Sequence, residues 1–237
     1  VNVRNKVLSI EQKKIQSDLW TIALISFAAL AIYMLLQNRI VVLIKGGSIN
    51  ILLRVLIGAV FQFGLAGLGI SVVLIYRKES FLDYGLNKKG WIKSIAFCFI
   101  CFVPHIIFMQ LTNQITGYLP FQSVWTTKDV LSGNFPVNII GMLITGAVWG
   151  FFEGFNYVVI SDKINSLYSS TNKWLNWGAI ICSVMCILIH GVIGITLESI
   201  IEMVTVFTAI YGMLMVKQFT GNAWGCVFVF IFLWNAF

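Results

Sequence analysis

The sequence predicts an all-α, polytopic integral membrane bundle of about seven transmembrane helices, within a range of roughly six to eight. Two observations carry this reading. Hydrophobic residues make up 59% of the 237 residues against 11% charged, with mean hydropathy +0.90, a balance that does not suit a water-soluble surface. The apolar residues also gather into runs of about 20, the length that crosses a hydrocarbon core. Short loops separate the runs, with no internal repeat, low-complexity tract or soluble insertion.

In chain order, residues 1–18 are polar and amphipathic and lack the apolar core and cleavage site of a signal peptide. The first span, 19–36, is therefore expected to act as an uncleaved signal. A second span at 50–76 leads into a basic segment, 77–93, whose Gly85 and Gly90 predict an ordered turn. The remaining spans are read at 91–112, 135–160, 174–195, 198–217 and 222–237. Trp91, Trp174 and Trp177 fall where an interfacial aromatic belt would place them. Cys98, Cys101, Cys182, Cys186 and Cys226 all lie within spans and read as small apolar packing residues rather than disulfide partners or ligands.

Orientation follows from Lys and Arg in the loops. Of the 16 such residues, all but Arg39, Lys45, Arg54 and Lys128 fall on the side of the N-terminus, including Arg4, Lys6, Arg77, Lys88, Lys163 and Lys217. The N-terminus is thus expected in the cytoplasm, and the protein in the cell membrane as a multi-pass chain. Most of the net charge of +7 reflects topology, with some attraction to anionic membrane lipid. No soluble basic module is present to bind nucleic acid.

Span four carries the densest information. Glu153 lies inside an otherwise apolar run, where an ionisable group is costly and marks a functional-site hypothesis. Gly146, Gly150 and Gly154 recur every four residues and form a smooth ridge that a neighbouring backbone can approach. Asn156 and Tyr157 share the face of Glu153 and offer hydrogen bonds. The plainer reading is a protonated structural Glu bonded to a backbone carbonyl. His190 is the second candidate, against the plain reading of a hydrogen-bonded core histidine. Counting from the interface, Glu153 lies roughly 13 Å deep and His190 about 20 Å, and Asn235 lies as far beyond Asn222 as His190 does beyond Trp177. The three residues are therefore expected to meet near the bilayer midplane. Glu202, one helical turn from Glu198 and roughly 22 Å from the cytoplasmic end at Lys217, reads either as a partner of His190 or as part of a polar mouth.

A Glu-bearing helix, then one ending in His190-Gly191, then one opening Thr220-Gly-Asn-Ala-Trp224 and carrying Asn235, resembles the CAAX protease and bacteriocin-processing (CPBP, or Abi) family of intramembrane proteases. The segment Asp83-Tyr-Gly-Leu-Asn-Lys-Lys-Gly-Trp91 is similar to the approach to that family's core. The resemblance implies a core over 81–237, preceded at 1–80 by a cytoplasmic segment and two variable helices. It implies Glu153, His190 and Asn235 as catalytic residues around an in-membrane water, with Asn156, Tyr157 and Glu202 as supporting or substrate-contacting groups. The match departs from the family's EExxxR, FxxxH and HxxxN patterns. Gly154 and Val158 stand in place of the second Glu and the Arg, Cys186 replaces the Phe, and Ile231 replaces the third-motif histidine. In the other register, with Glu153 as the second Glu, Phe152 and Tyr157 occupy those places.

The chemistry has its own physical basis. Burial makes an ionised carboxylate a stronger base toward water, and an imidazole or amide can steady a developing oxyanion. The expected function is hydrolysis of a membrane-associated or lipidated peptide. The alternative is a degenerate relative that binds a membrane partner or confers bacteriocin self-immunity. Proton-coupled transport fits less well, because transporters usually show internal repeats and broken helices at the site. No cofactor is predicted, and a catalytic metal such as zinc draws little support: zinc takes three or four protein ligands, and none fall here at a recognised spacing.

Overall fold

The computed structural model describes residues 8–237. Arg4, Lys6 and the rest of residues 1–7 of the polar start lie outside it. Helix α1, Ile10–Lys45, begins at a capping box in which Ser9 and Gln12 satisfy each other's backbone N–H groups. Its 36 residues extend well past the expected 19–36, because the polar flank before that stretch and a second apolar run, Ile40–Ile44, after Gln37-Asn38-Arg39 continue the helix. Leu24, Met34 and Leu35 point outward from it, an apolar surface that suits lipid. Helix α2, Ile51–Ala66, returns from an Asn50 cap, and α3, Leu68–Arg77, continues it after a bend of 57°. The expected turn follows as a 3₁₀ segment, Phe81–Tyr84, with Gly85 and Gly90 both at positive φ.

Helix α4 spans Trp91–Leu111, and a short α5, Thr127–Leu131, lies in the loop beyond it. Helix α6, Val137–Thr145, a π-turn at Gly146–Phe152, and α7, Glu153–Leu167, join in one apolar rod. Helices α8, Trp177–Ile189, α9, Leu197–Thr220, and α10, Trp224–Val229, follow, and a second π-turn at Phe230–Trp234 extends α10. Among the described residues there is no strand.

Among the described residues four rods are long and apolar enough to cross a membrane: α1, α4, α6 through α7, and α9; the bent pair α2 and α3 is a fifth if it counts as one span. The segments 174–195 and 222–237, read from sequence as full spans, come out shorter. Helix α8 has 13 residues, about 20 Å of rise, and α10 with its π-turn about 16 Å, against a hydrocarbon core of about 30 Å. Composition had suggested otherwise, since Val192, Ile193 and Ile195 prolong the apolar run after the helix has ended at His190 and the chain has turned at Gly191, φ 67°.

The core sits where α4, α7, α9 and α10 meet, around fully buried Phe102, Phe155, Ile210, Met213 and Phe230. Glycines set the closeness of these helices. A Cβ on Gly225 would come within 2.4 Å of the Ser94 carbonyl oxygen, and one on Gly178 within 2.2 Å of the Ser161 carbonyl oxygen. The two loop segments on which the family resemblance partly rests bond to each other. Buried Asn222 donates from Nδ2 to the carbonyls of Asn87 and Lys89 at 2.7 and 3.0 Å, while Ala223 N–H donates to Gly85 at 2.9 Å. This joint seats the start of α10 against α4.

Charged clusters occupy both ends of α1. Asp18 pairs with Arg77 at 2.8 Å and with buried Lys163 at 3.0 Å, and Lys163 also reaches Glu79. At the other end Arg54 Nε donates to the Ile44 carbonyl, and its Nη2 pairs with Asp129 at 2.7 Å. Asp18 and Ile44 are roughly 39 Å apart along the helix, farther than the hydrocarbon is thick. In a bilayer both clusters would therefore reach headgroup depth, and the volume between them would lie in the apolar layer.

Candidate active site

A cavity of about 950 Å³ lies in that volume, walled by α1 and α2 on one side and by α7, α8 and the last turn of the described chain on the other. Most of its lining is apolar, and its few polar groups converge. Glu153 is buried at the start of α7, directly after the π-turn. Such turns insert an extra residue into the helical ladder and are frequent at functional sites. Its Oε2 accepts from Gln62 Nε2 of α2 at 2.9 Å, and its Oε1 lies 3.5 Å from His190 Nε2. His190 caps the C-terminal end of α8, and its ring stands edge-on to Trp234 at 5.3 Å between centroids.

Asn235 follows the second π-turn. The glycine ridge explains how that turn comes alongside Glu153. A Cβ on Gly150 would fall 2.4 Å from Ile231 Cγ1, and one on Gly154 would fall 3.0 Å from the Cys226 carbonyl oxygen and from Phe230. The loop before α5 clamps the same segment. Leu119 N–H donates to Ala236, Ser123 N–H to the Asn235 carbonyl, and Ser123 Oγ to Asn235 Oδ1 at 2.9 Å. Asn235 lines the same cavity as Glu153 and His190, while its Nδ2 is sealed in without a partner among the described residues.

Asn156 and Tyr157 line this cavity too, with the Tyr157 ring stacked on Phe230 at 5.4 Å. Glu202 does not reach it. Its backbone carbonyl accepts from Thr205, whose hydroxyl meets His105 at 3.0 Å, so this part of α9 belongs to the surroundings of His105 rather than His190. Depth along the helix was its one argument from sequence, and depth says nothing about which neighbour a helix faces. Gln62 and Ser123 were not singled out from sequence. Gln62 carried a signal all the same, as a lone amide in the apolar run of α2.

Chemically, the arrangement offers a carboxylate held by one amide donor, an imidazole in contact with it, and an asparagine lining the same cavity. That set can deprotonate a water and stabilise an oxyanion. Among the described residues no three His, Cys, Asp or Glu side chains come together as a metal site. Glu153 and His190 would supply two ligands where zinc takes three or four. The fold and site define an all-helical protein, with several apolar helices compatible with membrane insertion and a Glu, His and Asn cluster set among them. Comparison with protein-family models, curated proteins and solved structures found no match to the chain.

Proposed function

We propose that this chain is an intramembrane endopeptidase similar in mechanism to the CAAX and bacteriocin-processing proteases, acting on a membrane-associated or lipidated peptide. The observation that carries this reading is the convergence of Glu153, His190 and Asn235 on one largely apolar cavity, each from a different helix or turn. In the proposed reaction a water on the cavity side of the pair gives its proton to Glu153 as its oxygen attacks the scissile carbonyl. His190, when it presents an N–H, stabilises the resulting oxyanion, joined by Asn235 Nδ2 once its amide turns toward the cavity. Collapse of the tetrahedral intermediate breaks the C–N bond, and the proton held by Glu153 passes to the leaving amine. Gln62 keeps the carboxylate oriented throughout.

The same proposal includes a cell-membrane location with the N-terminus in the cytoplasm. It counts seven apolar helical units, with α8 too short to span alone, residues 190–196 completing that crossing before α9 returns, and α10 entering the bilayer without crossing it. A second reading, a non-catalytic relative that binds a membrane partner or confers bacteriocin immunity, draws on Ile231. That side chain packs on Gly150 where the family's third motif would carry a histidine. Cleavage of a membrane peptide library by the purified protein decides between them. The peptidase reading expects cleavage that Glu153→Gln and His190→Ala abolish or severely reduce. Absence of cleavage, or cleavage indifferent to both changes, overturns it.

A further inference from the structure

The cavity extends beyond the Glu153 cluster to a charged end that hydrolysis does not use. Arg54 lines it there, a guanidinium with a side chain only 9% exposed. Nε is committed to the Ile44 carbonyl and Nη2 to Asp129, but Nη1 has no partner among the described residues and is not sealed in. The carboxylate on the other side of this pair is itself 53% exposed, and so is a weak claim on a buried cation. A second cation stands close by, since Lys45 Nζ lies 4.1 Å from the centroid of Trp125, which also lines the cavity. This end therefore carries two cations against the single carboxylate of Asp129.

From Arg54 the cavity continues as an apolar trough along α1, past Ile44, Ile40, Leu30, Phe27 and Ala23. Arg54 and Gln62 are eight residues apart on α2, about 12 Å, so the trough runs from the guanidinium to the level of Glu153. A volume with such walls at hydrocarbon depth holds water poorly and accepts an alkyl chain. A buried guanidinium with a free N–H face suits a phosphate, which it binds through charge-assisted hydrogen bonds. The shape and charge of the cavity thus describe one kind of occupant.

We propose that the cavity binds a phosphate-bearing lipid, its head on Arg54 and an acyl chain lying along α1 toward Glu153. The proposal stands apart from peptidase activity and is tested without it. Trp149 lines the same cavity and serves as a reporter. Lysophosphatidic acid brominated on its acyl chain is titrated into the purified full chain in neutral detergent, and tryptophan fluorescence is read. The proposal expects saturable quenching, diminished by Trp149→Phe and weakened roughly tenfold by Arg54→Gln, equivalent to about 1.4 kcal/mol. Monoacylglycerol with the same brominated chain should need a far higher concentration, and inorganic phosphate should not compete at equal concentration. Equal quenching by the neutral monoacylglycerol would overturn the proposal by showing a trough with no head preference. Competition by inorganic phosphate would overturn it in favour of a free-anion site. Should Arg54→Gln fail to fold, Ile40→Phe narrows the trough between the charge and Glu153. Unchanged quenching in a folded Ile40→Phe protein would likewise overturn the assignment.

Discussion

Gln62 donates to Glu153 at 2.9 Å across 91 residues of sequence, tying the first helical pair of the chain to the carboxylate at the centre of its cavity. By family resemblance that pair is a variable addition to a core that begins near residue 81. In the structure it supplies half of the cavity wall and a direct partner for the buried acid. A charge-assisted hydrogen bond of this kind is worth about 1.5–3 kcal/mol.

Gln62→Leu should therefore reduce peptide cleavage by about tenfold or more, with Gln62→Glu worse because it sets two carboxylates against each other. Gln62→His, which keeps a donor, should recover part of the rate. Turnover measured beside thermal unfolding separates loss of positioning from loss of fold: a positioning role moves the rate in variants that melt normally.

Asn235→Ala should lower kcat by about 10²–10³, the usual cost of one oxyanion donor, with a much smaller change in KM. Because Nδ2 has no partner among the described residues, its removal should leave stability nearly unchanged. Loss of Oδ1 frees Ser123, an effect that Ser123→Ala measures separately. A kcat that Asn235→Ala leaves intact would remove this residue from the reaction.

Gly150→Val should destabilise the protein by about 1–3 kcal/mol, the cost of overpacking a closed contact. The first atom added already meets Ile231 at 2.4 Å, so the second π-turn must move and carry Asn235 with it. Thermal unfolding reads the first effect and cleavage the second. Gly150→Val paired with Ile231→Ala should restore part of both.

Tyr84 provides a pH test away from the cavity. Burial, and then its hydrogen bond to Glu79, push the phenol well above its ordinary value of 10.0. The neutral form is thus favoured in the fold, and the associated stability is complete below pH 10, where the unfolded phenol is also protonated. Above about pH 10 the unfolded state loses the proton first, so stability falls with rising pH. Melting temperatures across this range should decline more steeply for the native chain than for Tyr84→Phe.

Glu153, His190 and Asn235 could be read from sequence because polar groups are rare and costly in such apolar runs, and because counting residues from an interface estimates depth. What the sequence withheld is direction and termination. Glu202 satisfied the depth argument, yet its segment of α9 belongs with His105. Gln62 obeyed the same rarity rule as Glu153, but no spacing links an amide in α2 to an acid in α7. The short α8 stayed hidden because Val192, Ile193 and Ile195 continue its hydropathy without its helix, and Gly191 alone marked the stop. Ser123 lies in a polar loop where any serine is ordinary.

The two short helices also make the surrounding membrane part of the machine. If α8 and α10 enter a bilayer as proposed, about 20 Å and 16 Å of helix fall short of its ordinary thickness, so lipid beside them would thin or water would descend to their ends. Those ends are His190 and Asn235. Bilayer thickness would then govern how readily solvent arrives beside Glu153. Short-chain lipids should favour hydration of the cavity and long-chain lipids should starve it, giving lipid composition a rheostat over any reaction that consumes water.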